Sequence, residues 1–111
     1  QGVYVSFEGG ILVALTADGK VRRQHNLVEK FGPIKARHGL AASLEQDKEH
    51  LYVWVEREES PYILALKKAT GEVVWNSPGV GATSWSSPRI LTVAGKQQLV
   101  CSASGKIAGY D

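Results

Sequence analysis

The sequence contains no methionine and only one cysteine, Cys101, in 111 residues. A lone cysteine excludes an internal disulfide framework and cannot supply a four-thiolate zinc site. No stretch approaches the roughly 18 consecutive apolar residues that a membrane-spanning helix needs, so no insertion into a membrane is expected. Charge of one sign is not concentrated anywhere. The 13 basic and 11 acidic residues are interspersed and leave a net charge of +2, which excludes a basic arm or an acidic tail. A nucleic-acid partner is not expected, because such a footprint is usually a dense basic stripe. The pairs Arg22-Arg23 and Lys67-Lys68, and Lys35 with Arg37, read as solvated surface. No basic-then-apolar leader opens the chain. Its start, Gln1-Gly2-Val3, and its end, a strand-like Gly105 to Asp111, read as a processed product or a piece of something longer.

What the chain does have is β-branched aliphatics. Val and Ile together number 17 against 10 Leu, and such side chains suit a pleated surface. The 43% apolar share is enough for the core of one domain at most. Short apolar runs stand at Val3–Val5, Ile11–Leu15, Leu51–Val55, Tyr62–Leu66, Val73–Trp75, Arg89–Val93 and Gln98–Cys101. Turn residues separate them: Glu8-Gly9-Gly10, Ala17-Asp18-Gly19-Lys20, Glu58-Glu59-Ser60-Pro61, Ala69-Thr70-Gly71, Ala94-Gly95-Lys96 and Ser104-Gly105-Lys106. This is the pattern of hairpins. Runs such as Leu51–Val55 are apolar on both faces, which predicts strands covered on both sides, as in stacked sheets. Lys35 to His50 is ambiguous. A strand over Leu40–Glu45 followed by a turn at Gln46-Asp47-Lys48 is expected there, with a short helix as the alternative.

The spacing also repeats. Leu12-Val13-Ala14-Leu15, Leu64-Ala65-Leu66-Lys67 and Ile107-Ala108-Gly109-Tyr110 share an alanine after aliphatics, with the alanines 51 and 43 residues apart. Ala42-Ser43-Leu44 and Ser86-Ser87-Pro88 are 44 apart by their serines, and Leu51-Tyr52-Val53 and Leu99-Val100-Cys101 are 48 apart. A period in the forties with four strands per unit points to β-propeller blades. The expected fold is therefore all-β, about two and a half four-stranded antiparallel blades of an incomplete ring. The parts are a partial first blade at about 1–27, a linker at 28–39, a second blade at about 40–76, and a partial third blade at about 84–111. The first lacks its innermost strand and the third its outermost, ten strands in all.

The segment Ala65-Leu66-Lys67-Lys68-Ala69-Thr70-Gly71-Glu72-Val73-Val74-Trp75 resembles the tryptophan-docking motif of quinoprotein-type (pyrroloquinoline-quinone-like) β-propellers. Ala65, Thr70, Gly71 and Trp75 match, and Lys67 stands where the pattern has an acid. Ser84 to Pro88 resembles the innermost strand of such a blade, Gly105 to Asp111 resembles a third strand, and Ala14 to Lys20 is a shortened version with no tryptophan after it. In this reading a small residue at 65 lets sheets approach, Gly71 permits a tight turn, and Trp75 fills the gap between blades.

Members of the family include quinone-dependent dehydrogenases, an outer-membrane assembly lipoprotein and sensor regions of membrane-anchored kinases. The resemblance implies an extracytoplasmic setting and two readings. The first is a non-enzymatic scaffold that binds protein or other ligands, pairs with the rest of a parent propeller or with itself, and holds no cofactor. The alternative is a fragment of a quinone-dependent alcohol or sugar dehydrogenase, with pyrroloquinoline quinone and calcium, whose site needs further blades. The residues favour the first. Asp18, Asp47 and Asp111 sit at turns or the terminus without companion acids at ligand spacing. His25, His38 and His50 read as surface or loop histidines, since their spacing fits no compact metal motif. Glu56, Glu58 and Glu59 read as a solvated hairpin tip, Ser86 and Ser87 as partners of local backbone near Pro88, and Cys101 as an inert buried thiol. The connection from Leu27 to Gly39 and the Glu56–Pro61 hairpin are the expected contact surfaces.

Overall fold

The computed structural model describes residues 2–34, 42–79, 86–103 and 105–111. Ten strands form there, all paired antiparallel: β1 (Val3–Ser6), β2 (Ile11–Leu15), β3 (Val21–Asn26), β4 (Glu45–Gln46), β5 (His50–Val55), β6 (Tyr62–Lys67), β7 (Val73–Pro78), β8 (Arg89–Val93), β9 (Lys96–Ala103) and β10 (Lys106–Tyr110). They make three meanders, β1-β2-β3, β4-β5-β6-β7 and β8-β9-β10, called sheets 1, 2 and 3 below. The fold is all-β, and the three sheets do not close into a ring.

Sheet 2 lies between the other two. Its Leu51, Val53, Val55, Tyr62, Leu64 and Leu66 form one buried cluster with Leu12 and Leu27 of the first unit. Its Trp54 and Ile63 form a second with Leu99 and Cys101 of sheet 3. This is why β5 and β6 are apolar on both faces. Strand side chains alternate, so one set meets sheet 1 and the other meets sheet 3. Ile63, Leu64 and Val55 are fully enclosed.

Several local expectations are corrected. Within Leu40–Glu45, positions 42–44 are irregular and the strand is only Glu45–Gln46; residues 40–41 lie outside the described residues. The turn falls at Asp47–Glu49, because Asp47 Oδ1 accepts from the amides of Glu49 (2.8 Å) and His50 (2.7 Å) and so starts β5. The expected linker at 28–39 begins as a helix, α1 (Leu27–Phe31). Asn26 caps it, accepting from Val28 N (3.0 Å) and Glu29 N (3.3 Å). No helix forms over 42–50. Positions 86–88 are irregular and β8 begins at Arg89; Ser84, Trp85, His38 and Gly39 lie outside the described residues.

The third repeat is shifted by one residue. In β2 and β6 the alanines lie opposite tyrosines, Ala14 across from Tyr4 and Ala65 across from Tyr52. On both pairs the side chains face the next sheet. Ala108, across from Cys101, faces back toward sheet 2, and it is Gly109, across from Val100, that occupies the equivalent place. Because side-chain direction alternates at every residue, a slip of one puts a residue on the other face.

Candidate functional site

The residues singled out by the docking motif lie at the boundaries between sheets. Ala65, almost fully buried, pairs across the strands with Trp75. Immediately after Ala65 the register shifts by one residue, a bulge that bends the outer strand. Thr70 and Gly71 close the turn between β6 and β7: Gly71 N donates to Lys67 O (2.7 Å), and Thr70 Oγ1 accepts from Glu72 N (3.2 Å). Gly71 has φ +77, and a Cβ there would lie within 2.7 Å of His25 Cε1 and 2.9 Å of Arg23 Cδ. Glycine is required twice over, by a left-handed backbone and by the approach of sheet 1.

Trp75 is half-buried between two tyrosines. Its ring lies 6.1 Å from Tyr52 in its own sheet, tilted at 38°, and 6.1 Å from Tyr110 of sheet 3, stacked at 15°. Tyr110 Oη donates to Pro78 O (2.9 Å), tying β10 to the end of β7. Burial pushes the Tyr110 hydroxyl pKa up, with Cys101 adding to the shift.

The boundary between sheets 1 and 2 is built on the same plan with different chemistry. Ala14 pairs with Arg23, and a bulge again follows the alanine. Arg23 donates to Lys68 O (2.8 Å) and Ala69 O (2.6 Å), the carbonyls of the turn that ends at Gly71. It is therefore a docking arginine and not a solvated charge. The signal was in the sequence: Arg23 follows Gly19 by four residues, as Trp75 follows Gly71. Only the residue type hid it. His25, expected as a surface or loop residue, lies on β3 with its Nε2 buried. Lys30 Nζ is 3.2 Å from Nδ1. An ammonium only donates, so Nδ1 is the acceptor and the neutral ring carries its hydrogen on Nε2, facing the Gly71 turn without a partner. Burial, then Lys30 and Arg23, hold the His25 pKa below its ordinary value.

The sheets are joined away from these boundaries as well. Ser43 N donates to Ser87 Oγ (2.8 Å), linking two serines that the repeat had aligned. Ser86 Oγ donates to Ser102 O. These serines thus bond residues far along the chain. Glu45 Oε2 accepts from Ile90 N (3.1 Å) and lies 3.7 Å from Arg89 Nε. Glu56, expected in a solvated tip, is 4% exposed at the end of β5. Alternation along β5 carries the chain back into the interior before the hairpin turns.

The two expected contact surfaces meet. Arg57 of the β5–β6 hairpin donates to Phe31 O (2.7 Å) and Pro33 O (3.2 Å) and lies 4.8 Å above the Tyr62 ring. A cavity of about 280 Å³ opens there, lined by Phe31, Gly32, Pro33, Arg57, Glu59 and Ser60. A larger open cleft, about 610 Å³, runs between sheets 1 and 2 beside Tyr4, Arg22, Lys48, His50, Lys67 and Lys68. Two of its bases already have work: Lys68 Nζ donates to Asp47 O (3.0 Å), and Lys67 lies 3.7 Å from Glu72.

Cys101 is fully buried, and burial, with Glu56 adding to it, pushes the thiol up to about 12. A thiol so protonated is not a nucleophile. Among the described residues no three His, Cys, Asp or Glu side chains cluster to hold a metal. No protein-family model matches the chain, and no curated protein matches it.

Proposed function

We propose that the chain is a non-enzymatic segment of a quinoprotein-type β-propeller, about two and a half consecutive blades that act as a rigid scaffold for protein binding in an extracytoplasmic setting. The observation that carries the reading is the shared register of the sheets. Ala14, Ala65 and Gly109 hold one position, and at the first two a bulge and a large outer-strand residue follow, Arg23 or Trp75. Each of these reaches the next sheet. A chain that stacks successive meanders by one repeated rule fits radially arranged blades. The surface offered to a partner is the joined loop face around Arg57, Gly32, Pro33 and Glu59. Loops held by a sheet scaffold are the usual place for binding residues.

The test is reconstitution with pyrroloquinoline quinone and calcium. The scaffold reading expects neither a retained chromophore after desalting nor dye-linked alcohol oxidation. Appearance of both would replace it with the dehydrogenase-fragment reading.

A further inference from the structure

The two outermost sheet faces are not ordinary surface. On sheet 1 the pairings Val3 with Leu15 and Val5 with Val13 place these four residues on the face turned away from sheet 2, and Ile11, paired with Asn26, lies on it too. With Ala14 and Ala65 in register, Val3, Val5, Val13 and Leu15 correspond to Leu51, Val53, Leu64 and Leu66 of sheet 2. All four of those are buried, under sheet 1. Sheet 1 therefore carries on its outward face the set that its neighbour uses for stacking, with Val3 51% exposed and Val5, Val13 and Leu15 half-buried.

The far face of sheet 3 is the complementary kind. With Gly109 at the place of Ala65, Val100 and Ile107 correspond to Tyr52 and Ile63, which meet sheet 3 inside the chain. Leu91 lies beside them, paired with Gln98. Leu91 is 49% and Ile107 77% exposed. The chain thus bears one face of each mating type at opposite ends of its stack.

We infer that these faces are a head-to-tail docking pair: the Val3/Val5/Val13/Leu15 face of one copy receives the Leu91/Val100/Ile107/Gly109 face of a second copy, as sheet 2 receives its neighbours. The inference rests on the scaffold reading, with further copies of this chain supplying the neighbouring blades, and gives the partner a definite geometry. The contact is heterologous, with different patches on the two copies, so it propagates until a ring closes. Aliphatic patches edged by polar side chains, here Arg89 and Gln98 on the sheet 3 face, mark interaction surfaces.

Two doubly substituted chains test it. One, Val3→Lys with Val13→Lys, blocks the first face; the other, Leu91→Lys with Ile107→Lys, blocks the second. Circular dichroism first establishes that each retains the wild-type strand signal. Val3→Lys alone and Ile107→Lys alone, at exposed sites, serve as milder variants where a double one fails to fold. In light scattering and sedimentation the unsubstituted chain grows beyond a dimer with concentration, each variant alone stays monomeric, and their mixture gives a discrete one-to-one dimer. That dimer forms because each variant contributes its intact face. Dimerisation of either variant alone, which needs a face to pair with itself, would overturn the inference. So would an unsubstituted chain that stays monomeric at high concentration. Neither result touches the quinone test, and catalysis there would leave this association untouched, so the two failures are told apart.

Discussion

Arg23 and Trp75 hold the same position in successive sheets, each across the strand from an alanine and each reaching into the sheet that follows. One does so with two hydrogen bonds to carbonyls and the other with a stacked ring. The position demands reach and contact rather than a particular chemistry. The two versions should respond differently to solvent: the arginine contact is a charge-assisted hydrogen bond, and the indole contact is mainly apolar burial.

Removing the indole should loosen sheet 3. Trp75→Ala is expected to cost about 2–4 kcal/mol, less than a fully buried tryptophan would, because the ring is half-buried. The stack alone should show in a double-mutant cycle with Tyr110→Ala, as a coupling of about 0.5–1.5 kcal/mol. Denaturant unfolding of the four chains measures both. A coupling near zero would mean that the ring packs only on its own sheet.

Gly71→Ala should destabilise by more than the about 1–2 kcal/mol that a left-handed backbone costs any other residue, because the methyl also meets His25 and Arg23. Combined with His25→Ala, part of the penalty should return and the backbone part should remain. Equal penalties in both backgrounds would show that the turn alone requires glycine.

Two groups make stability depend on acid. The folded pKa of His25 is lowered, so the unfolded chain binds its proton first, and stability falls as pH drops from about 6.5 through the folded value. His25→Gln should flatten this stretch of the pH profile. For Asp47, burial pushes the carboxyl pKa up, but the Tyr52 hydroxyl and the His50 and Glu49 amides more than offset it and leave it lowered. Its contribution is present above about 3.8 and lost as pH falls through the folded value. Tyr52→Phe removes the 2.8 Å bond to Asp47 Oδ2 and should shift that acid limb toward higher pH. Urea midpoints measured across the pH range read both limbs.

Cys101 should ignore thiol reagents in the folded chain at neutral pH, since it is fully buried and its thiol is pushed up to about 12. Labelling should follow unfolding, so its rate against denaturant reports the opening of the sheet 2–sheet 3 boundary. Fast labelling without denaturant would place that boundary at the loose end of the fold.

Much of the local structure was legible in the sequence. Short aliphatic runs between glycine and aspartate turns give strands wherever they occur, because period and turn chemistry act within a few residues. The double-sided apolarity of Leu51–Val55 announced a covered sheet for the same reason. Asn26 with Glu29 three residues on carried a helix-start signal that the surrounding β pattern masked. A residue's face was less legible. Ala108 and Gly109 are both small, and only hydrogen-bonded pairing decides which of them looks forward.

The sequence by itself determined that the chain is made of antiparallel hairpins, that one sheet is covered on both sides, and that Gly71 and Trp75 belong to a tight turn and its outer strand. These follow from alternation and backbone sterics, which are properties of neighbouring residues. Only the tertiary structure decided that Arg23 grips the Gly71 turn, that Glu56 is interior, and that Ser43 meets Ser87. Those contacts join residues more than forty apart or depend on what covers a face. A side chain's type fixes what it can bond, and packing between sheets fixes what it finds there.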